Sequence, residues 1–267
     1  MKLKNIFIGL GCVLAFSSCT NEMDYHEYTV YGKDYVFTDF TRTSGFVTNI
    51  YSYLDSDLPS NGSLSSACDE SEYAWSWSNV HDYYNGSWGP LNSYSLWGYY
   101  KAIREANYYL KEFPNADFSE LKFDKDYQAQ MNRFNRYQYE VRLLRAYYYF
   151  LLVRAYGDVP FTTNVLTEDE ANKLERTPAA TVFQFITDEC DAVADKLPIN
   201  YNDLKEDAST IGSVETGRVT RGMALALKAR TLLYQASPLF TANNDLTSWH
   251  SAAAASLSVI YYCSKKS

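Results

Sequence analysis

One stretch constrains the fold of this chain more than any other: QYEVRLLRAYYYFLLVRAYGDVPF, residues 138–161. Read at helical period, Leu144, Tyr148, Leu151 and Ala155 make one apolar stripe, and Leu143, Tyr147 and Phe150 make a second. Only a narrow face with Arg142, Arg145 and Arg154 stays polar. A helix apolar over most of its circumference must be packed between several neighbours, because a single contact would leave one stripe in water. Gly157 suits the positive-φ position after the last turn, and Pro160 prevents continuation.

Shorter segments repeat the helical pattern. Between residues 37 and 54, Phe40, Phe46, Val47, Ile50 and Leu54 recur at the right spacing, with Thr38 or Asp39 as cap. Between 95 and 113 the apolar positions are Leu96, Tyr100, Ile103 and Leu110, stopped by Pro114. Thr177 and Pro178 read as the cap and first residue of a helix through Val182, Ile186, Cys190, Val193 and Leu197. On that stripe Cys190 reads as a small buried hydrophobe. Thr220 caps a helix through Met223, Ala224, Leu227 and Leu233, and a last amphipathic stretch from Ser248 to Tyr262 uses Trp249, Ala253, Leu257 and Ile260. No alternating run is long enough to build a sheet. Helices joined as antiparallel neighbours predict an all-α scaffold of stacked helical hairpins with long irregular loops, a repeat of structure and not of sequence.

The N-terminus, MKLKNIFIGLGCVLAFSSC, has two lysines, an apolar run from Ile6 to Phe16, and two serines before Cys19. That run falls short of the roughly 20 residues a membrane-spanning helix needs, so residues 1–18 read as a secretion signal. Residues 19–36 read as an extended tether. Small residues directly before a cysteine resemble the lipobox of bacterial lipoproteins, with Phe16 standing where an aliphatic is usual. The resemblance implies that Cys19 is acylated, and several acyl chains on one cysteine anchor a protein stably.

Charge and composition narrow the chemistry. The formal charge of −8, more negative by two once Lys2 and Lys4 leave with the signal, argues against nucleic acid and anionic lipid as partners. His26, His81 and His250 are far apart and there is no CxxC pair, so no metal site is expected. Glycine-rich phosphate motifs are absent, and no cofactor is expected. With Cys12 removed and Cys19 acylated, Cys68, Cys190 and Cys263 allow at most one internal disulfide.

The candidate site is residues 72–88, EYAWSWSNVHDYYNGSW, where rings alternate with small polar and turn-forming residues. Sugar rings present apolar C–H faces that stack on Trp or Tyr, and hydroxyl rims that need donors and acceptors. Trp75, Trp77, Tyr83, Tyr84 and Trp88 are therefore the candidate platforms, with Asp69, Asp82 and Asn85 as rim partners. In extended chain Trp75 and Trp77 face the same way. Solvent on that side makes a platform; the helix of residues 95–113 on that side makes a core. Asp69, Glu70 and Glu72 stand too close together for the two carboxylates of a glycosidase, which face each other across a cleft. No catalytic residue is nominated.

Several blocks converge on one family. EVRLLRAYYYFLLVRAYGDVPF resembles the signature helix of SusD/RagB proteins, the outer-membrane nutrient-binding lipoproteins. LWGYYKAIREANYYL (residues 96–110), RTPAATVFQFITDECDAVADKLP (176–198) and GRVTRGMALALKARTLLYQASPLF (217–240) agree with that family in order and spacing. The resemblance implies a tetratricopeptide-like helical domain over residues 37–267. It also implies lipid anchoring at the outer membrane, facing the cell surface. Such a protein captures an oligosaccharide or other nutrient, passes it to a TonB-dependent, SusC-like transporter, and has no catalytic activity of its own. Two departures stand out. Tyr139 and Val141 flank Glu140 where small residues are usual, and the chain has about half the usual family length, ending in SVIYYCSKKS without a helix stop. Its C-terminal part is accordingly expected to be incomplete. Two other readings stay open: a helical-repeat adaptor whose aromatics dock a protein or peptide, and a helical glycoside hydrolase using acids of the same loop.

Overall fold

The structure, a computed structural model, describes residues 32–54, 64–87, 89, 95–204, 215–241 and 245–264. The signal, Cys19, His26 and Trp88 lie outside the described residues.

Residues 33–36, read as the end of the tether, form with Phe37 a short helix, α1 (Lys33–Phe37), too brief to show a period. Its Phe37 is buried, which ties this segment to the core. The next helix, α2 (Phe40–Tyr51), starts where Asp39 leaves helical backbone and its carboxylate accepts the Arg42 N–H at 2.9 Å. Tyr99–Glu112 forms α3, and a 3₁₀ turn at Phe113–Asn115 ends it at Pro114.

The long helix, α4 (Tyr127–Tyr156), begins well before the stretch that announced it. Residues 127–137 carry Gln, Asn and Arg between sparse apolar positions, of which Phe134 and Tyr137 are buried. Both predicted stripes are largely inside: Leu143, Leu144, Tyr148 and Phe150 are buried, although Tyr147 is half-buried and Ala155 exposed. The polar face needs correction, because Arg145 is buried. Gly157 ends the helix at φ +70°, a conformation that costs glycine nothing, and its N–H bonds to the Val153 carbonyl at 2.9 Å.

After it, Val159–Pro160 (β1) and Arg176–Thr177 (β2) pair antiparallel, closing residues 161–175 into a loop that carries α5 (Glu168–Asn172). Thr177 is therefore a strand residue and not a cap. The first turn of α6 (Ala179–Ala194) is satisfied from a distance, by Asp158 Oδ1 accepting the Ala179 N–H at 2.8 Å. Cys190 is buried as expected, and burial pushes its thiol up to about 12. Thr220 makes no side-chain cap for α7 (Arg221–Ala236); instead the Arg221 N–H bonds to the Pro198 carbonyl at 3.0 Å.

The last helix, α8 (Leu246–Ser264), keeps Trp249 of the predicted stripe inward but otherwise turns a neighbouring stripe to the core. Ala252 is buried, with Trp249, Ala255, Val259 and Tyr262 half-buried, whereas Ala253, Leu257 and Ile260 are exposed. A helix apolar on two sides offers two stripes, and periodicity cannot choose between them. Gly222 helps decide: a Cβ there would lie 3.0 Å from the Tyr262 ring, so a glycine lets α8 close onto the start of α7.

Consecutive long helices pack on one another, α3 on α4, α4 on α6, α6 on α7 and α7 on α8, with α2 also against α4. The architecture is all-α, a tetratricopeptide-like stack of helical hairpins with long irregular loops, and its sheet among the described residues is limited to two-residue ladders. The tyrosine-heavy composition, 25 Tyr against 14 Phe, has a structural use. Tyr148 buries its ring and donates to the Ile50 carbonyl at 2.5 Å, and Tyr149 donates to the Thr162 carbonyl at 2.7 Å. Each ring packs a helix while its hydroxyl satisfies a neighbouring backbone.

Candidate functional site

The aromatic segment is built on a small hairpin. Ala67–Cys68 (β3) and Ser71–Glu72 (β4) pair antiparallel, with Asp69 and Glu70 exposed at the tip. Cys68 Sγ and Ser71 Oγ both donate to the Ser65 carbonyl, at 3.0 and 2.9 Å, which holds the hairpin against the preceding turn. The chain then turns through residues 75–78, where the Ser78 N–H bonds to the Trp75 carbonyl at 3.1 Å. A 3₁₀ helix follows at Asn79–Tyr83, capped by Ser78 Oγ accepting the Val80 N–H at 3.3 Å. Ser78 and Val80 are buried and anchor the segment.

Those anchors point inward, and the indoles point out. Trp75 and Trp77 are 57% and 60% exposed, their ring centroids 5.3 Å apart and their planes inclined by 32°. Tyr73 meets Trp75 edge-on at 5.9 Å. The chain at residues 76–77 is a turn and not the extended strand that parity would need, so side-chain packing brings the rings together. Two exposed indoles in contact form an apolar patch whose burial under a ligand releases water favourably.

His81 holds this arrangement. Its Nε2 lies 3.0 Å from the Trp75 carbonyl and its Nδ1 lies 2.7 Å from the Tyr84 hydroxyl. A carbonyl can only accept, so Nε2 carries a hydrogen, while Nδ1 meets the Tyr84 hydroxyl and, at 3.9 Å, the Glu72 carboxylate. Desolvation, then the charge of Glu72, raises the Tyr84 phenol above its ordinary value and keeps it a donor. The site thus joins Tyr73, Trp75, Trp77, His81 and Tyr84. The sequence offered His81 only as a possible metal ligand, because nothing local marks it as a tie between loop residues.

The remaining candidates are less uniform. Tyr83 is exposed and Asp82 half-buried on the 3₁₀ helix. Asn85 Oδ1 accepts the Ser87 N–H at 2.8 Å, which leaves its amide nitrogen and one oxygen lone pair for a ligand. Asp69, Glu70 and Glu72 are all exposed.

The charged residues of α4 form a frame. Arg142 takes both oxygens of Glu189 on α6, at 3.0 and 2.7 Å, and Arg145 joins Glu189 at 3.3 Å and Asn107 Oδ1 at 2.8 Å. Arg154 lies over the Phe150 ring at 5.8 Å, and Asp158 caps α6. Among the described residues no group of three or more His, Cys, Asp or Glu could hold a metal ion, and no helix is long and apolar enough to cross a membrane.

A stack of helical hairpins presenting paired indoles from an outlying loop belongs to the class of tetratricopeptide-like scaffold proteins. Residues 39–212 match the SusD-like family model described as starch-binding, associating with the outer membrane, and the chain belongs to this family. Solved structures agree on the fold. A SusD-like protein from Bacteroides fragilis is 24% identical, with a TM-score of 0.58 over 86% of this chain and 40% of its own. A SusD-like carbohydrate-binding protein from Bacteroides fragilis is 23% identical, with a TM-score of 0.59 over 85% of this chain and 41% of its own. A SusD superfamily protein from Bacteroides thetaiotaomicron is 20% identical, with a TM-score of 0.61 over 85% of this chain and 48% of its own. The chain therefore spans less than half the length of these solved relatives. No curated protein matched.

Proposed function

We propose that this chain is the glycan-capturing part of a cell-surface lipoprotein, anchored to the outer membrane through acylated Cys19. It binds oligosaccharide and delivers it to a TonB-dependent, SusC-like transporter, without catalysing a reaction. One observation carries the binding role: Trp75 and Trp77 stand exposed and in contact on a loop fixed from beneath by Ser78, Val80 and His81. A sugar stacked there loses little entropy to ordering the protein. Tyr83, Tyr84, Asp69, Asp82, Asn85 and Trp88 are the surrounding contacts in this reading. Asp69, Glu70 and Glu72 lie exposed on one hairpin and do not face each other across a cleft as a glycosidase pair does, which favours binding over glycoside hydrolysis. Membership of a family described as starch-binding and outer-membrane-associated supports the ligand class and the location.

Calorimetry against a panel of oligosaccharides tests the reading. One or more should bind without release of reducing ends, and Trp75→Ala and Trp77→Ala should each lower affinity about tenfold. Unchanged affinity in both variants would remove the platform, and turnover of a bound glycan would make the protein an enzyme. Co-purification of an outer-membrane barrel with the anchored protein tests the transporter partner.

A further inference from the structure

The loop of residues 161–175 stands beside α3, and the two flank a half-open cavity of about 320 Å³, enough for one ring-sized ligand. Its geometry is set before anything binds. Asn107 donates to the carbonyls of Thr162 and Asn164 at 3.2 and 3.1 Å, and Tyr100 donates to the Pro160 carbonyl at 2.6 Å. The β1–β2 ladder closes the base of the loop, and a capping box between Thr167 and Glu170 holds α5 within it.

The chemistry of the walls is specific. Trp97 lines the cavity, stacks on Tyr156 at 4.2 Å with planes 6° apart, and is still 42% exposed. Ile103, Leu166 and Leu174 add aliphatic surface. The one formal charge in the lining is Arg104, which is exposed and makes no ion pair among the described residues; no acid lines the cavity. Arg176 stands close enough for its charge to act on Tyr100.

A sugar suits this place poorly. Its several hydroxyls would need partners, and apart from Arg104 the main polar groups of the lining, the carbonyls of Pro160, Thr162 and Asn164 and the amide of Asn107, are already engaged. A flat hydrocarbon ring needs none of them, and a single anionic group satisfies the unpaired guanidinium. We propose that the cavity between α3 and the 161–175 loop binds a small aromatic carboxylate, its ring against Trp97 and its carboxylate on Arg104. This site is separate from the indole platform of residues 75–77 and does not depend on it.

Calorimetry or saturation-transfer NMR with phenylacetate, and with its neutral amide as control, tests the assignment. Phenylacetate should bind about tenfold more tightly than the amide. Arg104→Gln, at an exposed position, should bring phenylacetate down to the affinity of the amide while leaving the thermal melt unchanged. Leu166→Trp, which fills the cavity, should abolish both, and the Trp75→Ala/Trp77→Ala double variant should change neither. No binding of phenylacetate at millimolar concentration, equal affinity in Arg104→Gln, or loss of binding in the double variant would overturn the proposal.

Discussion

The Tyr51 hydroxyl donates to Glu140 Oε2 at 2.6 Å, joining α2 to the middle of α4 across 89 residues of chain. Arg218 reaches the same carboxylate at 3.0 Å, and the Tyr201 hydroxyl lies 3.2 Å from its other oxygen. Glu140 is wholly buried. Burial, and after it the charge of Glu140, push both phenols far above their ordinary range, so they remain fixed donors. The Arg218 guanidinium also lies over the rings of Tyr51 and Tyr137, at 5.5 and 4.9 Å. One carboxylate thereby locks α2, α4 and the segment before α7.

Removing that carboxylate leaves buried donors and a buried cation short of a partner. Glu140→Ala should cost about 3 kcal/mol, near the lower end for a broken buried pair, because Arg218 keeps its 2.9 Å ion pair with Glu215. Glu140→Gln, which retains an acceptor, should cost less. Urea denaturation followed by circular dichroism measures both, and a change under about 0.5 kcal/mol in the alanine variant would mean that the lock is not structural.

His81 should matter to binding without touching sugar. His81→Phe keeps the ring and removes both hydrogen bonds, so Trp75 and Tyr84 lose their common tie. Oligosaccharide affinity should fall about fivefold, the size of one net hydrogen bond, with little change in thermal stability. Affinity equal to the parent would show that packing alone orients the indoles.

Alkaline pH should unfold the protein cooperatively. Burial pushes Tyr137 and Tyr149 up to about 12 and Tyr109 well above its usual value. These phenols keep their protons in the folded state after the unfolded chain has lost them. Their contribution is therefore complete below pH ~10 and is lost as pH rises from ~10 towards 12 and beyond. Phenolate absorbance should rise in two phases, exposed tyrosines first and the buried ones together with loss of the helical signal. A single phase with the helical signal intact would contradict the burial.

Thiol labelling should separate the cysteines. Cys68 and Cys263 are exposed and Cys190 is buried with its thiol raised to about 12. At pH 8 a maleimide should modify the first two in the native protein and reach Cys190 only in denaturant, as read by peptide mass mapping. Native labelling of Cys190 at a comparable rate would place α6 differently.

Much of the scaffold was legible because helical period and burial are the same property seen twice. The stretch around Leu144 and Tyr148 announced a helix packed on several sides, and Gly157 marked its end. Where the pattern was sparse, as before Phe134, or double, as on α8, the same logic lost the start of one helix and chose the wrong face of another. Asp39 caps α2 as expected, but two other caps failed for a related reason. Asp158 and Pro198 satisfy the first turns of α6 and α7 from other segments, in place of the local Thr177 and Thr220.

The sequence by itself pointed to an all-helical stack and to the candidacy of Trp75 and Trp77, since these rest on local period and residue type, while its blocks showed the family only as a resemblance. Only the tertiary structure decided that the indoles face water while Ser78 and Val80 face inward, that His81 ties them, and that Glu140 is a lock. Those outcomes depend on contacts between residues distant in sequence or on turns with no period, and neither leaves a trace in the order of amino acids.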